Sequence, residues 1–111
     1  IITREGEVGS LPAELATPLA MALAELIGNA VEHGMSATRE RGEVRVAAAR
    51  GDRLVIHVDD NGPGRTDAPE GLGLSIVRSL VTGELRGDLV LRPGPLGGTQ
   101  ATIDIPMRSA R

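Results

Sequence analysis

Residues 54–81 read LVIHVDDNGPGRTDAPEGLGLSIVRSLV, and two different periodicities meet across a short loop in that stretch. Leu54, Ile56 and Val58 alternate with Arg53, Val55 and His57, the period of a half-buried β-strand. Leu74, Ile76, Val77, Leu80 and Val81 recur at helical offsets, so an amphipathic helix follows and ends between Thr82 and Gly87. Between them, Gly62 to Glu70 is a loop rich in Gly, Pro, Thr and Asp.

The strand phase carries a chemical statement. A strict period of two turns Asp60 to the core side with Leu54, Ile56 and Val58, and turns Asp59 the other way. A carboxylate facing the interior is costly unless it receives hydrogen bonds, so protein donors or a ligand must satisfy Asp60. An adenine amino group is such a donor. Taken alone, Asp60 and Asn61 equally well cap a turn. Gly62 and Gly64 let the backbone approach a flat ligand closely. Gly71, Leu72, Gly73, Leu74 and Ser75 enter the helix, where unpaired first-turn N–H groups and the helix dipole favour a phosphate; an ordinary glycine-rich helix start is the simpler alternative. Neither the dinucleotide fingerprint nor a phosphate loop ending in Gly-Lys-Ser is present, since the chain has no Lys.

Upstream, Leu15, Leu19, Ala22, Leu23, Leu26 and Ala30 form one apolar helical face. Thr17 and Pro18 suit an N-cap and first helical residue and Gly34 the position past the end, which predicts a helix over about 18–33. Glu25, Asn29 and His33, spaced i, i+4, i+8, make a polar row along it. Asn29 suits a magnesium ion, which prefers oxygen ligands and fills its remaining positions with water and phosphate oxygens. Glu25 suits a general base beside a γ-phosphate. Read in isolation, the row is also an ordinary solvated helix edge. His33 either meets a phosphate or merely faces the helix dipole, and His57, on the outward phase, reads as surface.

Val44, Val46 and Ala48 alternate into a turn at Arg50, Gly51 and Asp52, so this strand and that of Leu54 form an antiparallel hairpin. Ile1 to Val8 fits an edge strand, and Leu89–Arg92 and the run through Ala101, Ile103 and Ile105 are two more strands, the last closed by Pro106. Gly97, Gly98 and Thr99 open the final strand, from which the Thr99 hydroxyl can reach the pocket of Asp60. The sum is an α+β domain over 1–111, a two-layer sandwich with a mixed, mostly antiparallel sheet and helices on one face.

Composition narrows the chemistry further. The chain has 111 residues and neither Phe, Tyr nor Trp, so its core is aliphatic and a base-binding pocket works by shape and hydrogen bonds rather than stacking. All 12 basic positions are Arg, scattered through a chain of formal charge -3, which argues against a nucleic-acid partner. Without Cys there are no disulfides, thiolate catalysis or Cys-ligated metals. No apolar run approaches the length of a membrane span, so no direct membrane contact is expected. The first residue is Ile1 rather than Met, as in an excised domain.

In order, Glu25 to Ala30, Asp60 to Gly64, Gly71 to Leu74, and Gly97 to Thr99 resemble the N box and three glycine boxes of the GHKL ATPases. The resemblance covers about 11–106 and is strongest to the catalytic domains of bacterial sensor histidine kinases. The six residues between Gly64 and Gly71 resemble the short-lid, PdtaS-like subgroup. It implies the Bergerat ATP-binding fold and ATP with Mg2+ as cofactors. Asp60 would bind the adenine amino group, Asn29 the magnesium ion and the second glycine box the phosphates. It also implies transfer of the γ-phosphoryl group to a His on a dimerisation and phosphoacceptor domain, with a response regulator downstream and a cytoplasmic location. Neither His33 nor His57 sits on a phosphoacceptor helix, so this piece alone is not expected to autophosphorylate. Two further readings are an anti-sigma-factor serine kinase and a non-catalytic, ATP-responsive interaction module.

The sequence departs from the family pattern in three ways. Glu32 stands where many such kinases carry Lys, Arg65 follows the first glycine box in place of an aliphatic residue, and no Phe-containing box is recognisable. His33 or Arg65 is left to supply the missing positive charge. A lid of six residues has little chain with which to exclude water. The isolated domain is therefore expected to bind ATP weakly, and a nanomolar dissociation constant by calorimetry would contradict this.

Overall fold

The computed structural model describes residues 2–6, 9–31, 43–61 and 72–107. In chain order the elements are β1 (Ile2–Glu5), α1 (Ala13–Asn29), β2 (Val44–Arg50), β3 (Arg53–Asp60), α2 (Leu72–Ser79), β4 (Asp88–Pro93) and β5 (Thr99–Pro106). The five strands lie in the order β1-β2-β3-β5-β4. Only β1 and β2 are parallel; the β2–β3, β3–β5 and β4–β5 pairs are antiparallel. The expected mixed, mostly antiparallel sheet is therefore present, with Ile2–Glu5 as an edge strand.

Register explains the core. Ile56 lies opposite Ala48 on one side and Ile103 on the other, while Leu54 lies opposite Ile105 and Val58 opposite Ala101. All the in-phase residues of β3 and β5 thus share one face. Against it pack Leu19, Ala22, Leu26 and Ala30 from the first helical segment and Leu74, Val77, Val81 and Leu85 from the second. The result is two layers closed by aliphatic side chains alone, each large one contributing about 1.5–3 kcal/mol on burial. Among the described residues no helix is long and apolar enough to cross a membrane.

The start of α1 differs from the sequence expectation. The helix begins at Ala13, with extended Pro12 before it, and the Pro12 carbonyl accepts the N–H groups of Leu15 and Ala16 at 2.9 Å. Pro18 is not its first residue but lies inside, buried. Proline at this point removes the hydrogen bond to the Glu14 carbonyl and crowds that carbonyl with its ring, and Glu14 is exposed, so water can take the place of the lost donor. Leu15, packed against the core, extends the apolar face backwards and draws the first turn into the helix. The predicted end at His33 lies outside the described residues.

The second helix also ends in a way its periodicity does not announce. Beyond Ser79 the chain widens into a π-helical turn over Leu80–Glu84, in which the Leu85 N–H donates to the Leu80 carbonyl at 2.9 Å. Arg86 then takes φ 57 and the Gly87 N–H returns to the Val81 carbonyl at 2.8 Å. Glycine usually holds such a left-handed closing position. Here the glycine stands one residue later, because a Cβ at Gly87 would collide with the Asp104 carbonyl oxygen of β5.

Ile103 is fully buried between β3 and β4. Ile103→Ala is expected to lower unfolding free energy by about 2–5 kcal/mol in urea denaturation. By the same measurement Val90→Ala, at a side chain 40% exposed on the edge strand, should change it by no more than about 0.5 kcal/mol.

Candidate functional site

The described candidate residues fall in two groups, one at the end of the central strand and one on the facing edges of the two helices. Asp60 ends β3, lies opposite Val44 and shares the inner face of the sheet with the core residues, as its phase requires. It is half-buried, and its Oδ1 accepts the backbone N–H of Thr99 at 3.3 Å. The two residues expected to share a pocket are thus in contact, through the Thr99 amide.

Asn61 does not simply turn the chain. Its N–H donates to the Glu43 carbonyl at 3.2 Å and its Oδ1 accepts the Glu43 N–H at 2.8 Å. The residue read from sequence as a possible turn cap is therefore bound twice to the chain entering β2.

Glu25 and Asn29 lie one helical turn apart on α1, both half-buried, and both reach the second residue of α2. A Cβ on Gly73 would collide with Glu25 Oε2, lie 3.1 Å from the Glu25 carboxyl carbon and 3.4 Å from Asn29 Nδ2. A side chain at position 73 would therefore displace the Glu25 carboxylate from where it lies. The missing side chain of Gly73 admits the polar row of α1 to the first described turn of α2. The side chain of Leu74 belongs to the core. Ser75 follows Gly73 by about 200° around the helix. It is exposed on the opposite side, lining a shallow groove with Ile76, Ser79, Leu80 and Glu84. Its hydroxyl thus faces away from Glu25 and Asn29. His33, Gly62, Gly64, Arg65 and Gly71, together with Glu32, lie outside the described residues.

A divalent ion is compatible with this donor set. Among the described residues no group of three or more His, Cys, Asp or Glu could cage a metal. Among the described residues the site offers an amide oxygen from Asn29 and the neighbouring Glu25 carboxylate. That donor set suits magnesium, which keeps water and takes phosphate oxygens.

The outer face of the sheet holds what strand alternation did not reveal. Asp59 points outward as expected, yet it is 2% exposed. Its Oδ2 lies 3.6 Å from Arg45 Nη2, and its Oδ1 is buried without a hydrogen-bond partner among the described residues. His57, expected at the surface, is half-buried and shares a 2.8 Å hydrogen bond between Nδ1 and Thr102 Oγ1. The period gives the face but not the depth, which neighbouring side chains such as Arg45 and Gln100 determine.

Comparison with known proteins fits this geometry. Residues 14–109 match the model of the histidine kinase-, DNA gyrase B- and HSP90-like ATPases. The chain belongs to that family. Among its relatives, the sensor histidine kinase PdtaS of Mycolicibacterium smegmatis is 41% identical over 112 residues, covering 96% of this chain and 22% of that protein. The chain thus spans about a fifth of the curated relatives it matches. The histidine kinase domain of the Erythrobacter litoralis EL346 blue-light activated histidine kinase superposes with a TM-score of 0.81 at 30% identity, over 95% of this chain and 53% of that one. The ATP binding domain of PrrB from Mycobacterium tuberculosis does so with a TM-score of 0.65 at 32% identity, over 83% and 68%. The two-layer architecture read from the sequence is the fold of these ATPase domains.

The contact at Gly73 makes a measurable coupling. Gly73→Ala is expected to be less favourable with Glu25 in place than in the Glu25→Ala background, where the space is vacated. A double-mutant cycle by chemical denaturation should give a coupling of about 0.5–3 kcal/mol; additive effects would contradict the contact.

Proposed function

We propose that this chain is the ATP-binding catalytic domain of a sensor histidine kinase. In this reading it donates the γ-phosphoryl group of Mg-ATP to a His on a separate dimerisation and phosphoacceptor domain, in the cytoplasm, with a response regulator as the later recipient. The observation that carries the reading is the meeting of Glu25 and Asn29 with Gly73 at the first turn of α2. Asp60 faces the same helical layer with its carboxylate fixed by Thr99. The family match and the names of the relatives support the same conclusion. No observation favours the serine kinase or the non-catalytic module.

Each residue then has a task. Asp60 accepts a hydrogen bond from the adenine amino group, and the Thr99 amide orients it for that. The first-turn N–H groups of α2 bind phosphate oxygens, helped by the helix dipole. Asn29 supplies an oxygen ligand to magnesium, which when bound neutralises developing phosphate charge. Glu25 orients the acceptor or takes its proton. The bulk of the rate enhancement comes from positioning and electrostatics, since phosphoryl transfer asks little covalent chemistry of the protein.

Titration calorimetry tests the assignment. Asp60→Asn presents an amide in place of the acceptor pair and is expected to abolish magnesium-dependent ATP binding. Retained affinity would sink the adenine role of Asp60.

A further inference from the structure

We propose that Asn61 is a positioning residue that sets base discrimination by holding Asp60 in register, without touching the nucleotide. The proposal rests on the reading of Asp60 as the adenine acceptor.

In an antiparallel pair, opposed residues alternate between those that exchange both N–H···O bonds and those that exchange none. Asn61 and Glu43 make such an exchange, with one substitution: the bond from the Glu43 N–H, 2.8 Å, is accepted by the Asn61 side-chain Oδ1 where a strand residue would use its main-chain carbonyl. The other half, Asn61 N–H to the Glu43 carbonyl, is 3.2 Å. The β2–β3 pairing, which runs from Arg50 opposite Leu54 to Val44 opposite Asp60, is thereby carried one residue beyond Asp60.

This final rung matters because of the alternation. With Glu43 and Asn61 bonded, Val44 and Asp60 are a non-bonded pair and Arg45 and Asp59 the next bonded one. On the β2 side, the rungs before and after Asp60 hold its backbone in register. On the β5 side, register pairing stops at Asp59 opposite Gln100, and the Thr99 N–H goes to the Asp60 side chain. Removing the rung after Asp60 takes away the bonds that tie the strand end to the chain entering β2, and the carboxylate loses its fixed height above the core. Using a side chain for the rung also means that the main chain of Asn61 need not stay extended. The chain can leave the sheet immediately after the residue that must be placed most accurately.

The chemistry separates Asn61 from a ligand-contacting amide. Its function here needs only an acceptor oxygen, which Asp also supplies and Ala does not. Affinities for ATP and ITP, whose base carries a carbonyl where adenine carries the amino group, should be measured by calorimetry on this domain. Asn61→Ala is expected to weaken ATP about tenfold while leaving ITP within about twofold, collapsing the discrimination, since a lost hydrogen bond to the backbone is of this size. Asn61→Asp should keep it. An unchanged ATP-to-ITP ratio in Asn61→Ala, or equal loss in Asn61→Asp, overturns the proposal. Asp60→Asn is the control: if it leaves the ratio intact, the adenine reading itself fails, independently of Asn61. Should Asn61→Ala not fold, amide hydrogen exchange decides on the unmodified domain and Asn61→Asp. The Glu43 amide must be protected in both, and rapid exchange in the unmodified domain overturns the rung.

Discussion

The carboxylate of Glu25 occupies the volume that a side chain at position 73 would fill, and the two helices meet around that contact. Two helices can cover one face of a sheet with many relative placements as long as their apolar stripes are buried. What selects this one is a polar row on α1 that must reach the start of α2. Aliphatic packing of Leu19, Ala22 and Leu26 against the sheet, with Val77 and Val81 alongside, provides the adhesion. The glycine provides the register. The same contact brings oxygen donors to a helix N-terminus, so the packing requirement and the chemical one fall on a single residue.

The end of β3 meets a different problem, two successive carboxylates on opposite faces. Water would screen both if they were exposed, but Asp59 is buried and Asp60 half-buried. Each is given its own electrostatic partner, Arg45 for the outer one and the Thr99 amide for the inner one. The sheet itself keeps them apart. An uncompensated buried carboxylate carries a heavy solvation penalty, so neither could be turned to the other face without leaving its partner behind. Register in this region is therefore specified by charge as well as by the hydrophobic pattern.

Strand identity, hairpin pairing and the inward phase of Asp60 were legible in the sequence because each follows from a period of two. The Glu25 and Asn29 row followed from a period near 3.6 in the same way. The start of α1 did not, because Pro18 reads locally as a first helical residue while Leu15 and the core favour an earlier turn. Burial of Asp59 and His57 was also hidden, since depth on a sheet face comes from side chains on β2 and β5 that are distant in sequence. Asn61 was read as a possible turn cap, and its partner Glu43, 18 residues away, could not be guessed from local spacing. Gly73 was read as part of a helix start facing a phosphate, and its lack of a side chain, which leaves room for Glu25, was not foreseen.

The aliphatic core has an optical consequence. With no Phe, Tyr or Trp in the chain, the folded domain has no aromatic chromophore, and its near-ultraviolet spectrum is almost blank. Any purine that enters brings the only strong absorption with it. Its hypochromism and induced circular dichroism then report on the pocket alone, against a protein that contributes nearly nothing to the signal.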